Sequence, residues 1–96
     1  MQILKNDVLT IEVSGHGAEL SSIRKGETEY LWQADPKFWG RHSPVLFPIV
    51  GSVWEGRYRV GENEFTLGQH GFARDMDFTL VWQTETELRY RLESTE

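Results

Sequence analysis

The chain has no cysteine, which removes a disulfide framework and any thiolate metal site from consideration. That composition suits a reducing compartment, and the cytoplasm is the expected location. It has no basic run either: 10 Lys and Arg stand against 15 Asp and Glu, a formal charge of -5. Neither the phosphate backbone of a nucleic acid nor an anionic membrane surface is an expected partner. Long apolar stretches are also missing. The longest, Val45 to Val50, is broken by Pro48 and falls far short of the roughly 20 residues a membrane-crossing helix needs. Met1 to Thr10 alternates polar and apolar residues, without the continuous apolar centre of a signal peptide. No segment of helical length carries an amphipathic stripe, and there is no internal repeat, linker or low-complexity tract. Residues 1–96 read as a single segment with no internal boundary.

What is present is ordinary for a small folded domain: 39% hydrophobic and 26% charged residues, with aromatics at 12% including four tryptophans. A chain of this size is expected to bury about 60 to 70 per cent of its unfolded surface. Leu9, Ile11 and Val13 alternate with polar neighbours, the two-residue period of a strand with one face covered. Ser14-Gly15-His16-Gly17 then marks a turn, and Ala18, Leu20 and Ile23 suggest an antiparallel partner. Lys25-Gly26-Glu27 closes that strand and Tyr30-Leu31-Trp32 opens a third. Asp35 and Pro36 suit the start of one short helical turn.

From Gly40 to Gly51 two prolines rule out regular ladder pairing and predict a shaped, extended loop. Arg57–Val60 and Glu64–Leu67 read as a hairpin turning at Gly61-Glu62-Asn63. Asp77–Gln83 and Glu87–Glu93 read as another, with Leu88, Tyr90 and Leu92 on one face and Arg89, Arg91 and Glu93 on the other. Short strands separated by turn signals predict an all-β, antiparallel β-sandwich. Most of Trp32, Phe38, Trp39, Phe47, Trp54 and Phe72 are expected in its core.

The densest chemistry lies in Gln69-His70-Gly71-Phe72-Ala73-Arg74-Asp75. Gly71 permits close backbone approach or positive φ beside the one side-chain type that titrates near neutrality. On residue types alone His70 reads as a strand-end histidine bonding a carbonyl. His42 reads as a solvated loop residue and His16 as turn material. Asp75 and Asp77 invite comparison with a two-carboxylate hydrolase, but strand-end solvation is the plainer reading. The histidines are spaced by 26 and 28 residues, unlike a standard metal site, so neither metal nor cofactor is expected.

Gly17-Ala18-Glu19-Leu20, Glu29-Tyr30-Leu31-Trp32, Ser43 to Gly51 and Gln69 to Asp75, in this order, resemble the amino-terminal part of the aldose 1-epimerases, the galactose mutarotase family, and most of all its bacterial mutarotase-related branch. Members of that family are longer chains. The resemblance implies the amino-terminal portion of a galactose mutarotase-like supersandwich and an isomerase that interconverts the anomers of an aldohexose. Galactose, glucose or a hexose phosphate would be its small-molecule partner. It also implies that His70 lies in the sugar site, binding and polarising substrate. Arg74 would hold a sugar hydroxyl or phosphate, or pair with Asp75 or Asp77. Phe72 is expected nearest the ligand.

The family's second histidine and its glutamate, understood as acid and base, have no counterpart among these residues. Relatives carry an arginine in or just after the proline loop where Ser52 stands here, leaving Arg41 or Arg57 as stand-ins. Two other readings stay open: a non-catalytic sugar-binding or regulatory β-module, and a structural piece that self-associates through exposed strand edges.

Overall fold

The amino-terminal alternation builds a four-stranded antiparallel sheet in the computed structural model, which describes residues 1–94. Its strands are β1 (Gln2–Lys5), β2 (Thr10–Ser14), β3 (Glu19–Lys25) and β4 (Thr28–Glu29), side by side in that order. Asn6 makes the first turn: its Oδ1 accepts the N–H groups of Val8 and Leu9 at 2.8 and 2.7 Å, an Asx turn that mimics a backbone turn. Leu4, Ile11 and Ile23 stand opposite one another across three strands, so the apolar residues share one face. A bulge at Glu12/Val13 leaves Ser21 unpaired, and the Gln33 amide donates to the Ser21 carbonyl at 3.0 Å.

β1 was not among the strands expected from the sequence. The expected strand at Tyr30-Leu31-Trp32 does not form; pairing stops at Glu29. The reason is the Glu29 carboxylate, which accepts the N–H groups of Ile23 (2.8 Å) and Leu31 (3.1 Å) and the Ser22 hydroxyl. It thus takes the Ile23 N–H that a continuing ladder would have used, although the Tyr30 N–H still reaches the Ile23 carbonyl (2.8 Å), and the Ser22 hydroxyl, then the two amides, hold its pKa below the ordinary carboxylate range. Asp35 starts a single turn as expected, accepting the Lys37 N–H at 3.0 Å.

Two hairpins complete the chain: β5 (Arg57–Val60) with β6 (Asn63–Thr66), and β7 (Thr79–Gln83) with β8 (Leu88–Arg91). Tyr58 stacks on Phe65 across the first, with ring centroids 5.3 Å apart. Leu88, Tyr90 and Leu92 are half-buried, while Arg89, Arg91 and Glu93 are exposed, which is the facing that the alternation predicts. Burial raises the Tyr90 phenol above its usual pKa. Two short 3₁₀ turns, Trp54–Gly56 and Ala73–Asp75, were not signalled by the sequence.

The second hairpin hangs from the β2–β3 turn. The Gly17 N–H donates to the Met76 carbonyl (2.6 Å) and the Phe78 N–H to the Gly15 carbonyl (2.8 Å). What this junction buries is mainly backbone and small residues. Gly17 and Gly71 are buried, and Ala73 is the only buried hydrophobic side chain with Cβ among the described residues.

The aromatic core expected from the sequence is absent. Trp32, Phe38, Trp39, Phe47, Trp54 and Phe72 are all exposed, Trp54 at 85%. The physical reason is shape: the chain spreads over 54 × 34 × 15 Å, and its sheets do not close an apolar interior between them. Its radius of gyration is 16.3 Å against about 12.5 Å for a compact domain of this length. Its accessible surface is 7438 Å², well above the ~5,700 Å² of a compact monomer of this mass. No helix among the described residues is long and apolar enough to cross a membrane.

Candidate functional site

The proline loop and the histidine stretch are bolted together through main-chain atoms. The Phe47 carbonyl accepts two N–H groups, from Phe72 at 3.0 Å and Ala73 at 3.2 Å. Gly71 sits against that carbonyl at φ 74, where a Cβ would come within 2.6 Å of the Phe47 carbonyl carbon and 2.7 Å of Pro48 Cδ. Only glycine fits. Next to it His70 and Gly51 bond reciprocally: the His70 N–H donates to the Gly51 carbonyl (2.6 Å), and the Gly51 N–H donates to His70 Nδ1 (2.8 Å). These two bonds hold His70 in the left-handed region at φ 62, a conformation that costs energy in a non-glycine residue and persists when its surroundings enforce it. His70 Nε2 makes no hydrogen bond among the described residues. The residue types alone suggest a ring bonding a carbonyl; Nδ1 instead accepts the Gly51 N–H.

A charged cluster braces the far end of the same stretch. Arg41 donates to Asp75 at 2.9 Å. Arg74 donates from Nη2 to the Gln69 carbonyl at 3.1 Å, tying the stretch back on itself, while its Nε lies 4.0 Å from Asp75 and is buried without a hydrogen bond among the described residues. The Arg41 hydrogen bond, followed by the charges of Arg41, Arg74 and His16, lowers the Asp75 pKa below its ordinary value. The sign follows. A lowered carboxylate pKa contributes stability that is fully present above the unfolded-chain value of about 3.9 and is lost as pH falls through the lowered native value. In an NMR acid titration, the Asp75 carboxyl is expected to titrate below pH ~3.9, and Arg41→Ala is expected to raise its midpoint. An unchanged midpoint in the variant would refute the Arg41 assignment.

The remaining candidates fall elsewhere or play different parts. His42 is not a solvated loop residue. Its N–H and that of Ser43 donate to Glu19 Oε1 at 2.7 and 3.0 Å, its ring Nδ1 lies 3.7 Å from the same oxygen, and its side chain is mostly covered. His16 is more than turn material: its Nδ1–H donates to Asp77 at 2.8 Å, at the bridge joining the β2–β3 turn to the approach to β7. Asp75 and Asp77 therefore each hold a cation or ring partner while staying open to solvent, at 56% and 87% exposure. Arg57 is engaged by Glu55 and Glu64 at 2.5 and 3.1 Å, whereas Arg41 contacts the histidine stretch through Asp75. Phe72 lines an open cleft of about 530 Å³ with Phe47, Met76 and Leu92, and His70 and Arg74 are not among its lining residues. Glu19 and Gly17 were missed as site-builders, although both stand in the Gly17-Ala18-Glu19-Leu20 motif; an acidic residue two positions after a glycine turn was the available signal.

Residues 1–96 match the family model for aldose 1-epimerase, and the chain belongs to that family. It is 42% identical over 96 residues to the plasmid-encoded LacX protein of Lactococcus lactis subsp. lactis, and 41% identical to the chromosomal one. It spans 32% of the length of each of these curated relatives, with 93% of its own length aligned. Among solved structures it superimposes on a galactose mutarotase related enzyme from Lactobacillus acidophilus with a TM-score of 0.96 and 39% identity, covering 99% of this chain and 32% of that one. A galactose mutarotase-like protein from Lactobacillus casei follows at TM-score 0.87 and 35% identity, covering 94% and 31%. The fold is thus all-β and galactose mutarotase-like, as the motifs imply.

Proposed function

We propose that residues 1–96 form one amino-terminal segment of a mutarotase-like β-sandwich domain and supply the sugar-contacting part of an aldose 1-epimerase acting in the cytoplasm. The reaction opens and recloses a hemiacetal. One group protonates the ring oxygen while another takes the proton from the anomeric hydroxyl, and the roles reverse on closure. This chain contributes His70 to substrate binding and polarisation, Arg74 and Arg41 as guanidinium donors around Asp75, and Phe72 as an apolar surface. The acid and base come from elsewhere. The observation that carries the reading is His70, held at φ 62 with Nε2 free of partners among the described residues, in a chain whose family acts on aldoses.

The test is anomer exchange followed by NMR, with galactose or glucose and either this chain or His70→Ala. No acceleration over the spontaneous rate is expected, together with His70 ring shifts that follow added sugar. Acceleration that disappears in His70→Ala would put acid and base within these residues; absence of any shift would refute the sugar contact. A second reading, self-association of a structural piece, is favoured by Phe38 and Trp54, exposed at 73% and 85%. Sedimentation over a range of concentrations distinguishes it, because only assembly makes the coefficient rise.

A further inference from the structure

We propose that Gly51 is a positioning residue that sets the ring tautomer of His70, so that the imidazole presents Nε2–H as a standing donor toward an oxygen lone pair and is unavailable as a proton acceptor for a hydroxyl. The tautomer rests on the structure; the ligand it faces rests on the function proposed above.

The argument starts from the amide. A backbone N–H can only donate, and its hydrogen direction follows from the peptide plane rather than from a choice of rotor. Gly51 N lies 2.8 Å from His70 Nδ1, so Nδ1 must offer a lone pair. A neutral imidazole carries one proton, which therefore sits on Nε2. The return bond from the His70 N–H to the Gly51 carbonyl, 2.6 Å, fixes the two residues against each other. A ring rotated by a half turn would set a C–H against the Gly51 amide and lose the bond.

His16 behaves in the opposite way. Its Nδ1 faces the Asp77 carboxylate at 2.8 Å, an acceptor, so Nδ1 there carries the proton. The two rings are predicted to hold opposite Nδ1 states within one chain.

The consequence is a division of labour. His70 can hold or polarise the ring oxygen or a hydroxyl oxygen by donating to it, but the proton of the anomeric hydroxyl must leave to another group. An imidazole held in this way loses its Gly51 bond if it takes up a proton at Nδ1.

The experiment is a long-range proton–nitrogen correlation on the nitrogen-15-labelled chain at neutral pH, first without sugar and then with D-galactose. Expected are a pyridine-like Nδ1 and a pyrrole-like Nε2 for His70, with Nδ1 of His16 protonated as an internal reference. A pyrrole-like Nδ1, or two averaged nitrogen signals, would overturn the assignment. Galactose is expected to move Nε2 of His70 most. A pyrrole-like Nε2 that ignores galactose would support the tautomer and overturn the sugar-site reading, which keeps the two failures apart.

Two variants complete the test. His70→Asn keeps an acceptor near the Nδ1 position and has no donor at the Nε2 position, so the Gly51 amide signal should persist, and galactose binding, read from the shifts of the backbone amides around residue 70, should vanish. His70→Gln can present a donor farther out, and part of the response should return. Galactose binding by His70→Asn equal to the parent's would refute the donor role.

Discussion

Gly71→Ala is expected to lower the stability of the chain by about 2–5 kcal/mol and to erase the galactose response of His70. Two effects add. At φ 74 an alanine is forced into the left-handed region, at a cost of roughly 1–2 kcal/mol. Its Cβ would also lie 2.6 Å from the Phe47 carbonyl carbon and 2.7 Å from Pro48 Cδ, an overpacking that costs about 1–3 kcal/mol when backbone must yield. Since native proteins have only about 5–15 kcal/mol in total, this is a large share of the chain's stability. Gly61→Ala supplies the control, because φ there is 61 but no atom lies within 4 Å of the added Cβ. It should show the backbone term alone. Chemical denaturation of both variants checks this; equal losses would mean that the contact with Phe47 is not what makes glycine necessary.

Glu19→Ala is expected to cost about 2–6 kcal/mol, a figure that follows from leaving two amide donors unsatisfied at about 1–3 kcal/mol each. Its carboxylate is mostly covered and accepts the N–H groups of His42 and Ser43 at 2.7 and 3.0 Å. The Ser43 hydroxyl adds a bond to the Leu20 carbonyl at 2.7 Å, so β3 holds the start of the proline loop at two adjacent residues. Arg41 leads directly into that start, and the Arg41–Asp75 pair should loosen with it. Glu19→Gln keeps an acceptor oxygen and should restore most of the loss, short of the charge-assisted part. Amide hydrogen exchange provides the local readout. His42 and Ser43 should lose protection in the alanine variant and regain it with glutamine, and undiminished protection in Glu19→Ala would refute the role.

Strand positions were legible where side chains alternate. Leu9, Ile11 and Val13 located β2, and the facing of Leu88, Tyr90 and Leu92 located β8, because cross-strand pairing acts on side chains that the sequence displays. Tyr30 to Trp32 misled for the same reason: aromatic residues resemble a strand, but Glu29 had already taken the Ile23 N–H that a strand would have needed. The aromatic residues were assigned to a core on composition, which counts apolar groups without saying what covers them. Within the site, His70, Gly71, Arg74 and Asp75 stood out by type. Their couplings did not. The Phe47 carbonyl, the Gly51 amide and the Gln69 carbonyl are main-chain atoms that every sequence possesses, so no residue identity reports which of them will be used.

The flat, 15 Å-thick shape also has a calorimetric counterpart. Unfolding changes the heat capacity chiefly through the apolar surface newly exposed to water, and here Phe38, Trp54 and their aromatic neighbours are wet before unfolding begins. The chain by itself therefore has a smaller heat-capacity increment than a compact domain of equal length, and a free-energy curve that bends less with temperature. Whatever polypeptide comes to cover those rings would bring that curvature with it.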